Sequence, residues 1–142
     1  MFRGQGQLGR PDRPVVCSLG DGAVMYGSSG FWSMARYSLP ILTIVWNNMN
    51  YQTVRTNFHA HGEEFVKQNK YPECFLGDPA IDFVMLAKSQ GIDGATVHEP
   101  SELEAAMRRG AEVTAGGEPY LLDRCAHRDG WRRRGLDLAP SV

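Results

Sequence analysis

At 142 residues the chain suits a single domain large enough to bury a real core. Hydrophobic residues make up 42% and charged residues 22%, the balance of a globular protein and not of a disordered one. A formal net charge of -1 excludes a strong general attraction to nucleic acid or anionic membrane, and no apolar run approaches the roughly 20 residues that span a bilayer.

The first ten residues, MFRGQGQLGR, carry no apolar targeting core and stay unassigned. Within them Gly4 to Gly9 formally match G-x-G-x-x-G, but no strand precedes the match and Pro11 and Pro14 oppose a following helix, so a dinucleotide site is not inferred. RPVVCSL, Arg13 to Leu19, is a short apolar run between Pro14 and Gly20 and predicts a buried strand in which Cys17 acts as a small hydrophobe. GFWSMARYSL follows, with apolar positions at Phe31, Met34, Ala35 and Tyr37 to Leu39, and predicts a helix that stops before Pro40. ILTIVW, Ile41 to Trp46, is unbroken in its hydrophobicity, which implies a strand covered on both faces. Trp32, Trp46 and Phe83 are expected in the core.

From Asn47 to Gly77 the pattern lapses into polar and aromatic residues, a length that marks a functional segment. Its HAHGEE stretch, with His59, His61, Glu63 and Glu64, lacks a fixed metal-ligand spacing and is better read as a solvated or lid loop than as a metal cluster. Asp78-Pro79 supplies an expected N-cap and first-turn proline for a helix whose Phe83, Leu86, Ala87 and Gln90 recur at helical spacing up to Gly91. ATVHEP is a brief strand. Ser101 and Glu104 then suggest a capping box for a helix with Leu103, Ala106, Met107, Gly110, Ala111 and Thr114 on one face, ending at Gly116-Gly117. PYLLDRC is a last strand. Beyond it Arg132, Arg133 and Arg134 beside Trp131 read as a solvated basic end in preference to an RNA contact.

Strands alternating with helices predict an α/β fold, a parallel sheet with helices on both faces, whose ligands bind beyond the carboxyl ends of the strands. Gly20-Asp21-Gly22 and Asn47-Asn48 each follow a strand directly, so both project onto that edge. Asp21 offers a carboxylate and Asn48 a neutral carbonyl oxygen, a hard donor set suited to Mg2+ sharing its shell with phosphate. The flanking glycines allow close approach to a ligand, and the following helix start adds free N–H groups. A lone D-G after a strand is usually only a turn, and N-N is a common loop pair; the force of the reading lies in their pairing across one βαβ unit.

G-D-G, an interval of this length, then N-N at the end of an apolar strand resembles the thiamine diphosphate-binding motif. The match is to the C-terminal diphosphate-binding domain of the acetolactate synthase, benzoylformate decarboxylase and pyruvate decarboxylase superfamily. It extends from Pro11 to about Leu122 and takes in DPAIDFVMLAKSQG and GGEPYLLD. It implies a diphosphate-binding domain over residues 11–123, with a basic tail over residues 124–142. By that resemblance Asp21, the Asn48 side chain and the Asn50 backbone carbonyl would hold Mg2+, and Gly22 and Ala23, after Gly20, would offer N–H groups to the diphosphate. Met49 and Tyr51 would lie in the loop over the cofactor; Tyr51 serves equally well as a core aromatic.

The implied chemistry is the cofactor's: it adds to the carbonyl of a small 2-oxo acid and holds the electrons left when carbon dioxide departs, so the class is lyase or transferase. The catalytic glutamate of such enzymes sits on a pyrimidine-binding domain for which this chain has no room, and Glu63 and Glu64 cannot be promoted to it by position. Catalytic residues are therefore unknown. A fragment or truncated copy is expected, its missing domain carried on the parent chain or a partner chain, in a homo-oligomer. Three widely spaced cysteines, Cys17, Cys74 and Cys125, suit a reducing cytoplasm. The competing expectations are a non-catalytic α/β oligomerisation module or degenerate copy, and a domain binding some other nucleotide or sugar phosphate.

Overall fold

A computed structural model describes residues 13–61, 64–67 and 74–125. Four strands, β1 (Val15–Gly20), β2 (Ile41–Asn47), β3 (Asp93–Val97) and β4 (Tyr120–Cys125), form one wholly parallel sheet in the order β1-β2-β4-β3. Helices α1 (Asp21–Gly27) and α2 (Gly30–Arg36) join β1 to β2. Helices α3 (Gln52–His61), α4 (Glu64–Lys67) and α5 (Phe83–Lys88) precede β3, and α6 (Leu103–Ala115) joins β3 to β4. The last strand in sequence thus lies inside the sheet, and every carboxyl end points the same way.

The apolar run of β2 is buried at every position except Trp46, because β1 and β4 flank it and helices cover both faces. Ile41, Val45 and Leu121 point to one face, where Val24 of α1, Phe31 and Met34 of α2 and Phe83 and Ala87 of α5 pack on them. Leu42, Ile44, Tyr120 and Leu122 point to the other, against Ala106 and Val113 of α6. Each fully buried Val, Leu, Ile, Phe or Met among them contributes about 1.5–3 kcal/mol of transfer free energy. Gly110 brings α6 close to the sheet, since a Cβ there would stand 2.6 Å from Leu42 Cδ1.

Several local expectations are corrected. Strand β1 lies at an edge, so its residues alternate between half-buried and exposed; Val16 is 58% exposed while Cys17 packs against the core. Trp32 and Trp46 are exposed and only Phe83 is in the core; the Trp46 indole N–H donates to Ser18 Oγ at 2.8 Å. Helix α2 stops at Arg36, where Ser38 takes φ 44° and the N–H groups of Ser38 and Leu39 return to the carbonyls of Ala35 and Met34. This C-cap leaves Tyr37 outside and turns Leu39 inward, ending the helix before proline has a say.

Asp78-Pro79 is a cis peptide and does not start α5; Asp82 is its N-cap, its carboxylate accepting from Met85 N–H at 2.8 Å. Likewise the capping box is Glu99 with Glu102, around a 3-10 turn Pro100–Glu102, and Glu104 pairs with Arg108 on the surface instead. Proline at the start of that turn moves the first capped position back by two residues. The sheet-facing stripe of α6 is Leu103, Ala106, Gly110 and Val113, with Met107 and Ala111 exposed. The stretch after Asn47 is partly helical, with Asn50 and Phe75 forming an antiparallel bridge.

In HAHGEE, His61 Nδ1 bonds the Asn57 carbonyl oxygen at 2.8 Å and Glu64 pairs with Lys67; Glu63 lies outside the described residues. Among the described residues no group of three or more His, Cys, Asp or Glu could hold a metal ion, and no helix is long and apolar enough to cross a membrane. Gly4 to Gly9 and Arg132 to Arg134 also lie outside the described residues.

Candidate functional site

Gly20 and Trp46 are register partners at the carboxyl ends of β1 and β2, so the residues following each strand meet above the sheet. Asp21, only 2% exposed, opens α1 there. Its Oδ1 accepts from the N–H of Gly22 at 2.8 Å, and its Oδ2 accepts from the N–H groups of Asn48 and Asn50, each at 3.1 Å. The tip of β2 is thereby fastened to the tip of β1 through one carboxylate.

The asparagine pair shapes the loop that Asp21 reads. Asn47 Oδ1 accepts from Met49 N–H at 3.1 Å and Asn48 Oδ1 from Asn50 N–H at 2.9 Å, two overlapping turns closed by side chains. Between them Met49 is held at φ 56°, a left-handed conformation costly for any residue with a Cβ. Residues 74–76 fasten the far side, with Tyr51 N–H donating to the Cys74 carbonyl and Leu76 N–H to the Met49 carbonyl, each at 2.8 Å. The Tyr51 ring packs against Gly22, where an added Cβ would be 2.6 Å from its Cδ1, and tilts against Tyr26 at 5.9 Å between centroids.

Gly20, Asp21, Gly22, Asn48, Met49, Asn50 and Tyr51 are thus brought together, whereas Ala23 is exposed one residue further along α1. At Gly20 a Cβ would meet nothing within 4 Å. The donor chemistry fits a small hard cation. Asp21 uses three of roughly four acceptor positions on its carboxylate, and the Asn48 side-chain and Asn50 backbone oxygens each accept one bond of two. Gly22 N–H already serves Asp21, and Ala23, the other donor of the expected pair, lies in the first turn of α1.

One residue escapes sequence reasoning. Asp123, 4% exposed on β4, accepts from Asn47 Nδ2 at 3.3 Å through Oδ2, while its Oδ1 has no partner among the described residues. Burial pushes its pKa up to about 6, the charges of Asp82 and Asp21 adding to the rise and the Asn47 amide and His98 opposing it. The clue was an acid directly following the buried Tyr120, Leu121 and Leu122. Burial also raises the pKa of Asp21, against the lowering influence of its backbone N–H partners. A cavity of about 250 Å3 beside Asp123 is lined also by Asn47, Met49, Asp82 and His98; another, of about 330 Å3, lies between Asn48, Trp46 and Arg124.

Fold and site together define an open parallel α/β domain with its polar cluster at the carboxyl edge of the sheet. The chain belongs to the thiamine pyrophosphate enzyme family, through the C-terminal TPP binding domain that its residues 5–124 match. It is 32% identical over 116 residues to the acetolactate synthase isozyme 2 large subunit of Escherichia coli, covering 82% of this chain and 20% of that protein. With benzoylformate decarboxylase of Pseudomonas aeruginosa it shares 29% identity over 118 residues, again 82% of this chain and 20% of the other. A solved thiamine diphosphate-dependent 4-hydroxybenzoylformate decarboxylase of Rhodococcus jostii superposes with a TM-score of 0.71 at 30% identity, over 85% of this chain and 21% of that one. The chain spans about a fifth of the length of the curated relatives it matches.

Proposed function

We propose that the chain binds thiamine diphosphate through Mg2+, as the diphosphate-binding part of an enzyme resembling 2-oxo acid decarboxylases and acetolactate synthases. The observation that carries this reading is the meeting of the Asp21 carboxylate and the Asn48 amide oxygen at a single backbone N–H, each with acceptor capacity to spare. Asp21, Asn48 and the Asn50 carbonyl would hold the ion; Ala23 N–H at the start of α1 would face the diphosphate, and Met49 and Tyr51 would border it. The bound cofactor supplies the carbon nucleophile and electron sink for decarboxylating a small 2-oxo acid. The residues of this chain bind and orient it, which lowers the entropic part of the barrier and leaves the bond-making to the cofactor.

On this reading catalysis needs a pyrimidine-binding domain from the parent chain or a partner chain, in a homo-oligomer in the cytoplasm. The exposed Val16, Trp32 and Trp46 supply apolar surface for such contacts. The test is a melting curve with Mg2+ and thiamine diphosphate added singly and together. Together they raise the melting temperature by several degrees, and Asp21→Ala abolishes the rise. A wild-type chain indifferent to the pair would be a non-catalytic module or degenerate copy.

A further inference from the structure

An acid on an interior strand of a parallel sheet is costly unless something there requires it. Asp123 follows three buried residues of β4, is itself 4% exposed, and sits across from Val45 of β2, two positions before the end of that strand. Its neighbour on the diagonal is Asn47, also 4% exposed, and the bond from Asn47 Nδ2 to Asp123 Oδ2 at 3.3 Å joins them. That bond decides which way the Asn47 amide points. With the nitrogen committed to Asp123, the oxygen must face the loop, where it accepts from Met49 N–H at 3.1 Å. Were the amide reversed, an NH2 group would face that N–H donor and the first of the two overlapping turns would open.

The turn matters because Met49 stands at φ 56° and needs such support. The N–H groups on either side of it, those of Asn48 and Asn50, are the two that Asp21 Oδ2 accepts. A continuous path therefore runs from Asp123 through the Asn47 amide and the backbone of Met49 to the Asp21 carboxylate. Every link in it is a hydrogen bond of 3.1–3.3 Å between buried or half-buried groups, and none of them includes a cofactor.

We propose that Asp123 is a positioning residue: through Asn47 it fixes the loop Asn48–Asn50 and so presets the oxygens that grip the metal and the diphosphate. The inference rests on the function proposed above. It deepens that reading by adding a residue from the opposite side of β2 that touches neither ion nor cofactor.

The test is a set of titrations of the full chain with thiamine diphosphate in saturating Mg2+, using Asp123→Leu, Asp123→Asn, Asn47→Ala and the Asn47→Ala/Asp123→Leu pair. Asp123→Leu and Asn47→Ala each weaken binding by about tenfold or more, the cost of one lost hydrogen bond to a charged group. Asp123→Asn, whose amide oxygen accepts the same bond, stays within about threefold of wild type, a rescue that a merely space-filling role would not show. The double variant is no worse than either single one, because both break one path. Amide hydrogen exchange at Met49, followed without metal or cofactor, speeds up in Asn47→Ala and Asp123→Leu and not in Asp123→Asn; Asn47→Ala carries this readout if Asp123→Leu does not fold. Unchanged exchange at Met49 in Asn47→Ala, or additive losses in the double variant, overturns the proposal. A wild-type chain that binds nothing sinks the reading of the site instead.

Discussion

The Asp21 carboxylate and the Asn48 side-chain oxygen accept from the same N–H, that of Asn50, at 3.1 and 2.9 Å. One donor shared by a charged and a neutral oxygen holds the tips of β1 and β2 in contact distance with no ion present. On the proposed function, binding would then lose little to reorganisation, which is what preorganisation contributes to affinity.

Asp21→Asn separates the charge from the shape. It keeps the volume but gives an NH2 group to at least one of the three N–H donors that the carboxylate serves, so stability falls by about 1–3 kcal/mol. If Asp21 holds the cation as proposed, affinity for Mg2+ with thiamine diphosphate falls far more, about a hundredfold, because the cation would lose its anionic ligand. Titration calorimetry beside a denaturant melt distinguishes the two losses; equal affinity in the variant removes Asp21 from the site.

Gly22 is small because Tyr51 lies on it. Gly22→Ala places a Cβ 2.6 Å from the ring, forcing it aside at a cost of about 1–3 kcal/mol in denaturant unfolding. Tyr51→Leu in the same chain recovers most of that loss, whereas two independent sites would give additive losses.

Met49 pays for its left-handed backbone in the folded state alone. Met49→Gly relieves this and leaves stability unchanged or up to about 1 kcal/mol higher, after the larger entropy loss of glycine is counted. Met49→Val, branched at Cβ, lowers it by about 1–2 kcal/mol. Urea midpoints of the two variants in the reverse order would mean that φ 56° is not kept in solution.

Asp123 makes a contribution to stability that depends on pH. Its folded value of about 6 exceeds the ordinary carboxylate value near 4, so the folded chain holds this proton more tightly than the unfolded one. The stabilisation is complete below about pH 4 and is lost as pH rises through about 6. Burial is the chief reason its pKa is high, the charges of Asp82 and Asp21 adding to it, while the Asn47 amide and His98 oppose them. Wild type minus Asp123→Asn, compared by urea unfolding at about pH 5 and about pH 7, isolates this component, since the other titrating groups are common to both. The wild type gains on acidification relative to the variant; a difference flat with pH contradicts the raised value.

Much of the fold was legible because it rests on local patterns. The unbroken run Ile41 to Trp46 could be covered only on both faces, and it is the interior strand β2. The run before Gly20 looked equally apolar but lies at the edge, since nothing in a strand's own residues says how many neighbours it will have. The capping errors at Asp78 and Ser101 share one cause: several residues nearby were competent to cap, and the path of the chain chose Asp82 and Glu99.

By itself the sequence determined the alternation of strands and helices, the family, and the placing of Gly20-Asp21-Gly22 and Asn47-Asn48 at the carboxyl ends of two strands, because these depend on the order and spacing of residues. Tertiary structure alone decided that β4 would pass between β2 and β3, and so that Asp123, 76 residues from Asn47, would hold its amide. The physical reason is that strand order follows from which faces the crossover helices can bury, and a buried polar group takes its partner from that packing, whatever its position in the chain.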